Sequence, residues 1–481
     1  MVSRRDFVVG SASVAIAASQ LGFGGASSPR GTSQSGKTYV FPPDFLLGVA
    51  SSAYQIEGAA SEDGKGESIW DRWMRTPGQV KVKGDVAADH YHRVKEDVAL
   101  LAQLGVRAYR FSISWPRIFP DGIGKPNAAG VRFYRTLVDE LKRNNIKPLV
   151  TLYHWDLPQR LQDVGGWASP EIATHFERYA SYVYTQFPDV PYWTTFNEPW
   201  VTCFMGYFLG SHPPGLRDLS TSLSCTYNVL RAHGRAVRAF RHSGIRGQIG
   251  ITLDWPYTLP ASERPEDVAA AARINESHHA WFARPIFNGE FPNEMWRWYE
   301  QHGAVMPSID ANELRTVSTR VDFLGLNYYR VDRVQHDPAG WWPYQTRDVG
   351  MADERNLRRW GNPDGLRQIL KFLMHEYQTP IIITENGRAL PDEVNENGEV
   401  IDDVRINYIY SHLAVCHEAL SDGVKLAGYF NWSFLDDYEW GEFGRMGLVY
   451  VDFETQQRII KRSGLWFREG IANGFKLPQY G

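Results

Sequence analysis

The sequence predicts a (β/α)8 barrel built as a single domain. Three observations lead there: eight short β-branched or aromatic runs recur along the chain, the stretches between them have helical periodicity, and the runs close on polar residues that only a closed barrel would gather in one place. The first run, "FLLGVASSAYQ" (45–55), ends in Gln55, and the second, "VRAYRFSISW" (106–115), carries Arg110. The third, "KPLVTLYHWD" (147–156), presents His154, and the fourth, "YWTTFNEPW" (192–200), presents Asn197 and Glu198. A fifth, "QIGITLDW" (248–255), is followed by "DFLGLNYYR" (322–330) with Asn327 and Tyr329. The last two are "PIIITENG" (380–387) with Glu385 and "LAGYFNWSF" (426–434) with Trp432. Between runs, residues 93–105 and 130–145 place apolar side chains at steps of three and four, as helices do, and Gly105 ends the first of these helices. Strand–helix alternation implies parallel pairing. A doubly wound open sheet is the rival, but no G-x-G-x-x-G follows the first strand.

The bulk properties narrow the function. The chain has 481 residues, 43% hydrophobic and 22% charged, with a formal net charge of −4, so no basic excess points to nucleic acid. The 17 Trp, 24 Tyr and 24 Phe suit the apolar faces of sugar rings, although aromatic residues serve cores first. Three cysteines cannot all pair internally. Buried free thiols are the expectation for Cys203, Cys225 and Cys416, with a Cys203–Cys225 bridge as the alternative in an oxidising compartment. No Cys or His spacing matches a zinc site. His278 and His279, adjacent on a helix, would face different ways and read as structural.

At the N-terminus, "SRRDFVVGSASVAIAASQLGFGGA" sets Arg4 and Arg5 before a mildly apolar, alanine-rich run. The pattern resembles a twin-arginine export signal, with a general secretory signal as runner-up. Residues 1–37 are therefore expected to be signal and polar linker, residues 38–481 the catalytic domain, and the mature protein exported, to the periplasm or beyond. No other apolar stretch approaches membrane-spanning length.

The chemistry concentrates in "TTFNEPW" (194–200) and "IIITENG" (381–387), where an apolar, β-prone run ends in a lone glutamate. Breaking a glycosidic bond requires a proton on the leaving oxygen and stabilisation of the cationic anomeric carbon. Two opposed carboxyl groups do both. Strands four and seven lie across a barrel from each other, which opposes Glu198 and Glu385. Each motif alone has a plainer explanation: Asn197–Glu198–Pro199 as a helix start, Asn386–Gly387 as a surface turn. Neither explanation accounts for the other motif.

Both motifs, "TFNEP" and "ITENG", resemble the acid/base and nucleophile motifs of glycoside hydrolase family 1, the β-glucosidase family. The likeness runs from about Phe41 to Pro478 through "SSAYQIEGA", "EDGKGESIWD", "YRFSISWPRI", "TLYHWDLPQ", "GLNYY", "GYFNWSFLDDYEW" and "GLVYVDF". It implies a TIM barrel and a retaining, double-displacement β-glucosidase without cofactor, acting on a small-molecule β-glucoside or oligosaccharide. By the resemblance, Glu198 is the acid/base and Glu385 the nucleophile. Gln55, His154, Asn197, Tyr329, Trp432, Glu439 and Trp440 surround the sugar, while Arg110, Asn327 and Tyr329 support the carboxyls. A nearby cation and donor should lower the pKa of Glu385, whose charge should raise that of Glu198. The sequence departs from the family pattern at "GEFGRMG", shorter than usual and with Met446 in place of the usual phenylalanine, which leaves open the contacts near the sugar's O6 and O4, any by Glu442 included. It departs again at "LRRWGNPDGL", which shifts Trp360 beside Arg358 and Arg359.

The rival activities differ at single positions. Glu439 disfavours a 6-phospho-sugar enzyme, because a carboxylate repels phosphate, and Glu198 disfavours a plant-type thioglucosidase, which has glutamine there. A silent sugar-binding module would usually lose one carboxylate, and this chain keeps both. Transglycosylation, and galactose or fucose in place of glucose, stay open on the sequence.

Overall fold

A computed structural model of the chain describes residues 37–338, 340, 347–348 and 362–478. The densely packed body is Thr38–Phe475. Arg4, Arg5, Arg358, Arg359 and Trp360 lie outside the described residues.

Eight parallel strands close the predicted barrel: β1 (Leu46–Ala50), β2 (Ala108–Ser112), β3 (Lys147–Tyr153), β4 (Tyr192–Asn197), β5 (Gln248–Asp254), β6 (Phe323–Asn327), β7 (Ile381–Asn386) and β8 (Leu426–Trp432). Each pairs with its neighbours in chain order, and β8 returns to β1 with Ala50 opposite Trp432. Every strand falls within one of the eight runs. Gln55 differs from expectation: it sits not on a strand but in a one-turn helix, Ala53–Ile56, just beyond β1.

Helices fill the gaps as their periodicity requires. His90–Gln103 ends one residue before Leu104, and Gly105 follows at φ 65°, the left-handed position that terminates helices. Ala128–Arg143 buries Phe133, Leu137, Val138 and Leu141 along one face and is capped by the Asn127 side chain, which accepts from the Ala129 amide.

Inside the barrel, polarity rises toward the C-terminal mouth. Leu46, Ala108, Leu149, Phe323, Ile382 and Phe430 form a dry layer, with Trp432 and Met446 packed against it. Two residues further along β2 and β3, on the same face, come Arg110 and Thr151, and Arg110 Nε donates to Thr151 Oγ1 at 3.2 Å. Thr194 Oγ1 donates to that same oxygen at 2.9 Å. The buried apolar layer makes the floor on which charged groups are stacked.

Candidate active site

Backbone irregularity carries both motif glutamates into the mouth. Strict alternation along β7 would send Ile382 and Thr384 inward and Glu385 outward. The pairing of β7 with β6 instead shifts register between Ile383 and Glu385. Thr384 and Glu385 consequently both reach the interior, the first donating to Asn327 Oδ1 at 2.8 Å, the second meeting Arg110. On β4, a shift against β5 between Thr194 and Asn197 has the same effect. Thr195 bonds His233 and Phe196 packs on Phe176 outside the barrel, after which Asn197 turns in. Bulges commonly re-aim side chains in this way beside active sites.

A helix does open at Pro199, with the Thr202 amide donating to Glu198 O, but the plainer explanations leave the polar residues of both motifs unaccounted for. Asn197 caps no helix, because its Oδ1 accepts from Arg110 Nη2 at 2.6 Å and from Asn327 Nδ2 at 3.0 Å. Glu198 holds a left-handed φ of 47°, and its amide continues the sheet to Thr252 O at 3.0 Å. Trp155 (φ 77°) and Trp440 (φ 52°) share that costly backbone region beside the same cleft. Nor is Asn386–Gly387 a surface turn. Asn386 is buried, donating to Tyr328 O and the Tyr408 hydroxyl and accepting from the Tyr429 hydroxyl. A Cβ on Gly387 would lie 1.8 Å from the carbonyl oxygen of Trp432.

The carboxyls receive unequal support. Glu385 Oε1 accepts from Arg110 Nη1 at 2.5 Å, and its Oε2 accepts from the Tyr329 hydroxyl at 2.6 Å. Glu198 Oε1 accepts from Asn327 Nδ2 at 2.7 Å, a neutral donor. Burial raises the pKa of Glu198 well above the usual carboxylate range, and the charges of Asp254 and then Glu385 push it further. The expected lowering of Glu385 is corrected by its surroundings: burial raises it too, against the opposing effects of Arg110 and Tyr329. Arg110 and Tyr329 thus fix the order of the two groups. In a pair sharing one proton, that proton sits on Glu198.

The remaining expected residues gather around these two. Gln55 Nε2 donates to Glu439 Oε2 at 2.6 Å, and Gln55 is itself held by Ser52 Oγ at 2.6 Å. Burial, then the charge of Glu385, pushes Glu439 up to about 8. Asp437 beside it is also raised, by burial and by Glu439. The loop bearing them is anchored through Asp436, which meets Lys461 at 2.6 Å and Arg445 at 2.9 Å. Burial and Arg110 hold the pKa of His154 well below its usual value, so the ring is neutral. Its Nε2 accepts from Asn197 Nδ2 at 3.2 Å, while the buried Nδ1 has no protein partner among the described residues and can serve a ligand hydroxyl. Trp432 stacks near His154, with ring centroids 5.8 Å apart, and rests on Met446 in the core. Glu442 points away, exposed, toward Lys81.

Sequence reasoning missed several neighbours. Trp70 and Trp155 each place a ring 4.5 Å from Trp440, and Tyr54 stacks on it at 5.9 Å. Their signal was membership in the motifs "SSAYQIEGA", "EDGKGESIWD" and "TLYHWDLPQ". His278 and His279 are both buried, as expected of structural histidines. A π-helical turn, Asn275–Ala280, brings His278 to Asp254, while His279 stacks on Trp255. Cys203 and Cys225 are free and buried with sulfurs 3.0 Å apart, and Cys416 is also free and buried.

Barrel, carboxyl pair and polar surround define a glycosidase working by two carboxyl groups. The profile of glycosyl hydrolase family 1 matches residues 37–475, and the chain belongs to that family. It is 44% identical over 90% of its length to β-glucosidase A of Acetivibrio thermocellus, covering 98% of that protein. It is 43% identical to a 1,4-β-D-glucan glucohydrolase of Thermotoga neapolitana, over 90% of this chain and 98% of that one. Among solved structures, the Thermotoga maritima β-glucosidase in complex with glucoimidazole superposes with a TM-score of 0.86 at 42% identity, covering 91% of this chain and 99% of that one.

Proposed function

We propose that this protein is a retaining β-glucosidase that removes terminal non-reducing β-D-glucosyl residues, with cellobiose and short β-glucans among its substrates. The observation that carries the reading is the asymmetry of the carboxyl pair: Arg110 and Tyr329 hold both oxygens of Glu385, whereas Glu198 has only a neutral amide on Oε1. Glu385 attacks the anomeric carbon while Glu198 protonates the departing oxygen. Esterification removes the charge of Glu385, the repulsion on Glu198 falls, and Glu198 then takes a proton from the incoming water. Two carboxyl groups, Glu439 and Asp437, occupy the part of the pocket reached through Gln55, and no cation contacts Glu439 among the described residues. A 6-phosphate would find no such cation there to offset its charge.

The test separates the two glutamates. Glu198→Ala should nearly stop cellobiose hydrolysis, yet still be glycosylated by a dinitrophenyl glucoside, whose leaving group needs no proton. Azide should restore turnover and give the β-glucosyl azide, the product of two inversions. An α-azide, identified by NMR, would exchange the roles of Glu198 and Glu385.

We also propose export by the twin-arginine route, supported by Arg4 and Arg5 ahead of the alanine-rich run. Replacing both arginines with lysine should leave the precursor in the cytoplasm; unchanged periplasmic yield would refute this.

A further inference from the structure

A second ionic system abuts the acid/base. Asp254 ends β5, two residues beyond Thr252, whose carbonyl receives the Glu198 amide. Alternation puts Thr252 and Asp254 on the same face of the strand, and the Thr252 hydroxyl lies inside the barrel against Gly325. Asp254 is opposite Asn327 in register, and Asn327 is the donor to Glu198. The carboxylate of Asp254 is held by His278 Nε2.

His278 owes its place to the π-helical turn that interrupts the helical stretch between Pro265 and Phe287. Such turns displace one residue from the regular helical track. Its imidazole is buried and stacks on Trp200 with centroids 4.1 Å apart and planes within 10°. Trp200 follows Glu198 by two residues, so one stack ties Asp254, through His278, to the segment that bears the acid/base.

We propose that Asp254, oriented by His278, is a positioning residue that holds a carboxylate against Glu198 and so sets the protonation range of the acid/base throughout the catalytic cycle. This rests on Glu198 being the acid/base. Repulsion from Glu385 lasts only until Glu385 is esterified. Asp254 forms no covalent bond in the reaction, and its charge persists in both steps, favouring a protonated Glu198 before attack and a stronger base afterwards. The other groups facing Glu198 are Glu385 on β7, Arg110 on β2, and Tyr329 and Arg330 just after β6. Arg330 also faces Asp254 and pairs with Asp332, and His278 on Asp254 opposes its charge when protonated.

Asp254→Asn and Asp254→Ser differ in volume and share the loss of charge. In the pH profile of kcat/KM on a nitrophenyl β-glucoside, the alkaline limb follows loss of the Glu198 proton. Either variant should move that limb down by on the order of one pH unit while the acid limb, governed by Glu385, stays put. An unmoved alkaline limb, or equal displacement of both limbs, would overturn the proposal. In the Glu198→Ala background, adding Asp254→Asn should leave azide-rescued turnover of a dinitrophenyl glucoside within about twofold, since the group through which Asp254 acts is gone. A further tenfold loss there would mark Asp254 as structural and sink the idea. If Glu198→Ala alone showed no azide rescue, the acid/base assignment would fail instead.

Discussion

Replacing Tyr329 with phenylalanine removes one 2.6 Å hydrogen bond and leaves the ring and the Arg110 contact in place. Burial holds the phenol pKa well above its usual value, so Tyr329 donates across the working pH range. A hydrogen bond to a charged group contributes about 1.5–3 kcal/mol. At 1.36 kcal/mol per pKa unit, its loss should raise the pKa of Glu385 by about one to two units. Attack requires Glu385 ionised, so kcat/KM rises with pH through that pKa. A donor that favours the ionised form lowers the pKa, and removing it must move the acid limb upward. The profile on an aryl β-glucoside should therefore narrow from the acid side, with an alkaline limb that moves less. Because the carboxyls are coupled, both limbs report the pair, and the separation between them is the quantity to measure. A uniform fall in rate with both limbs in place would refute the role given to Tyr329.

Glu439→Ser should lower kcat/KM on glucosides about tenfold, since a carboxyl able to hold two sugar hydroxyls is lost, at about 0.5–1.5 kcal/mol for each hydrogen bond. Activity on 6-phosphoglucosides should rise relative to glucosides, and a parent enzyme already favouring the phosphorylated substrate would contradict the reading of this pocket. Gly387→Ala should push the β7 end away from Trp432, whose carbonyl oxygen lies 1.8 Å from the new Cβ site. Glu385 would move with it, and displacement of about 1 Å costs on the order of a hundredfold in rate. Near-normal kcat/KM together with an unchanged melting temperature would show that the backbone accommodates the methyl group.

The barrel was legible in the sequence because its strands are local, apolar and separated by periodic helices. Each of the eight runs contains one strand, and Gly105 marks a helix end by its own backbone freedom. The motif glutamates were legible as chemistry, since a carboxyl group closing an apolar run serves no packing purpose. Their direction was not. By alternation Glu385 belongs outside the barrel, and only the register shift against β6 turns it inward. Such a shift is negotiated between strands distant in sequence, so no local pattern records it. The protonation order was expected from the sequence, but the direction of the Glu385 shift was not: burial by the whole barrel overrides the lowering expected of it beside Arg110. His278 makes the point again: adjacent histidines on a regular helix suggested packing, and the π turn that delivers one of them to Asp254 exists through contacts with Trp200 and β5. Sequence determined which groups are available and on which strands they ride. Tertiary structure decided which way they point and how far burial raises both carboxyls, because direction and desolvation are properties of the assembled neighbours.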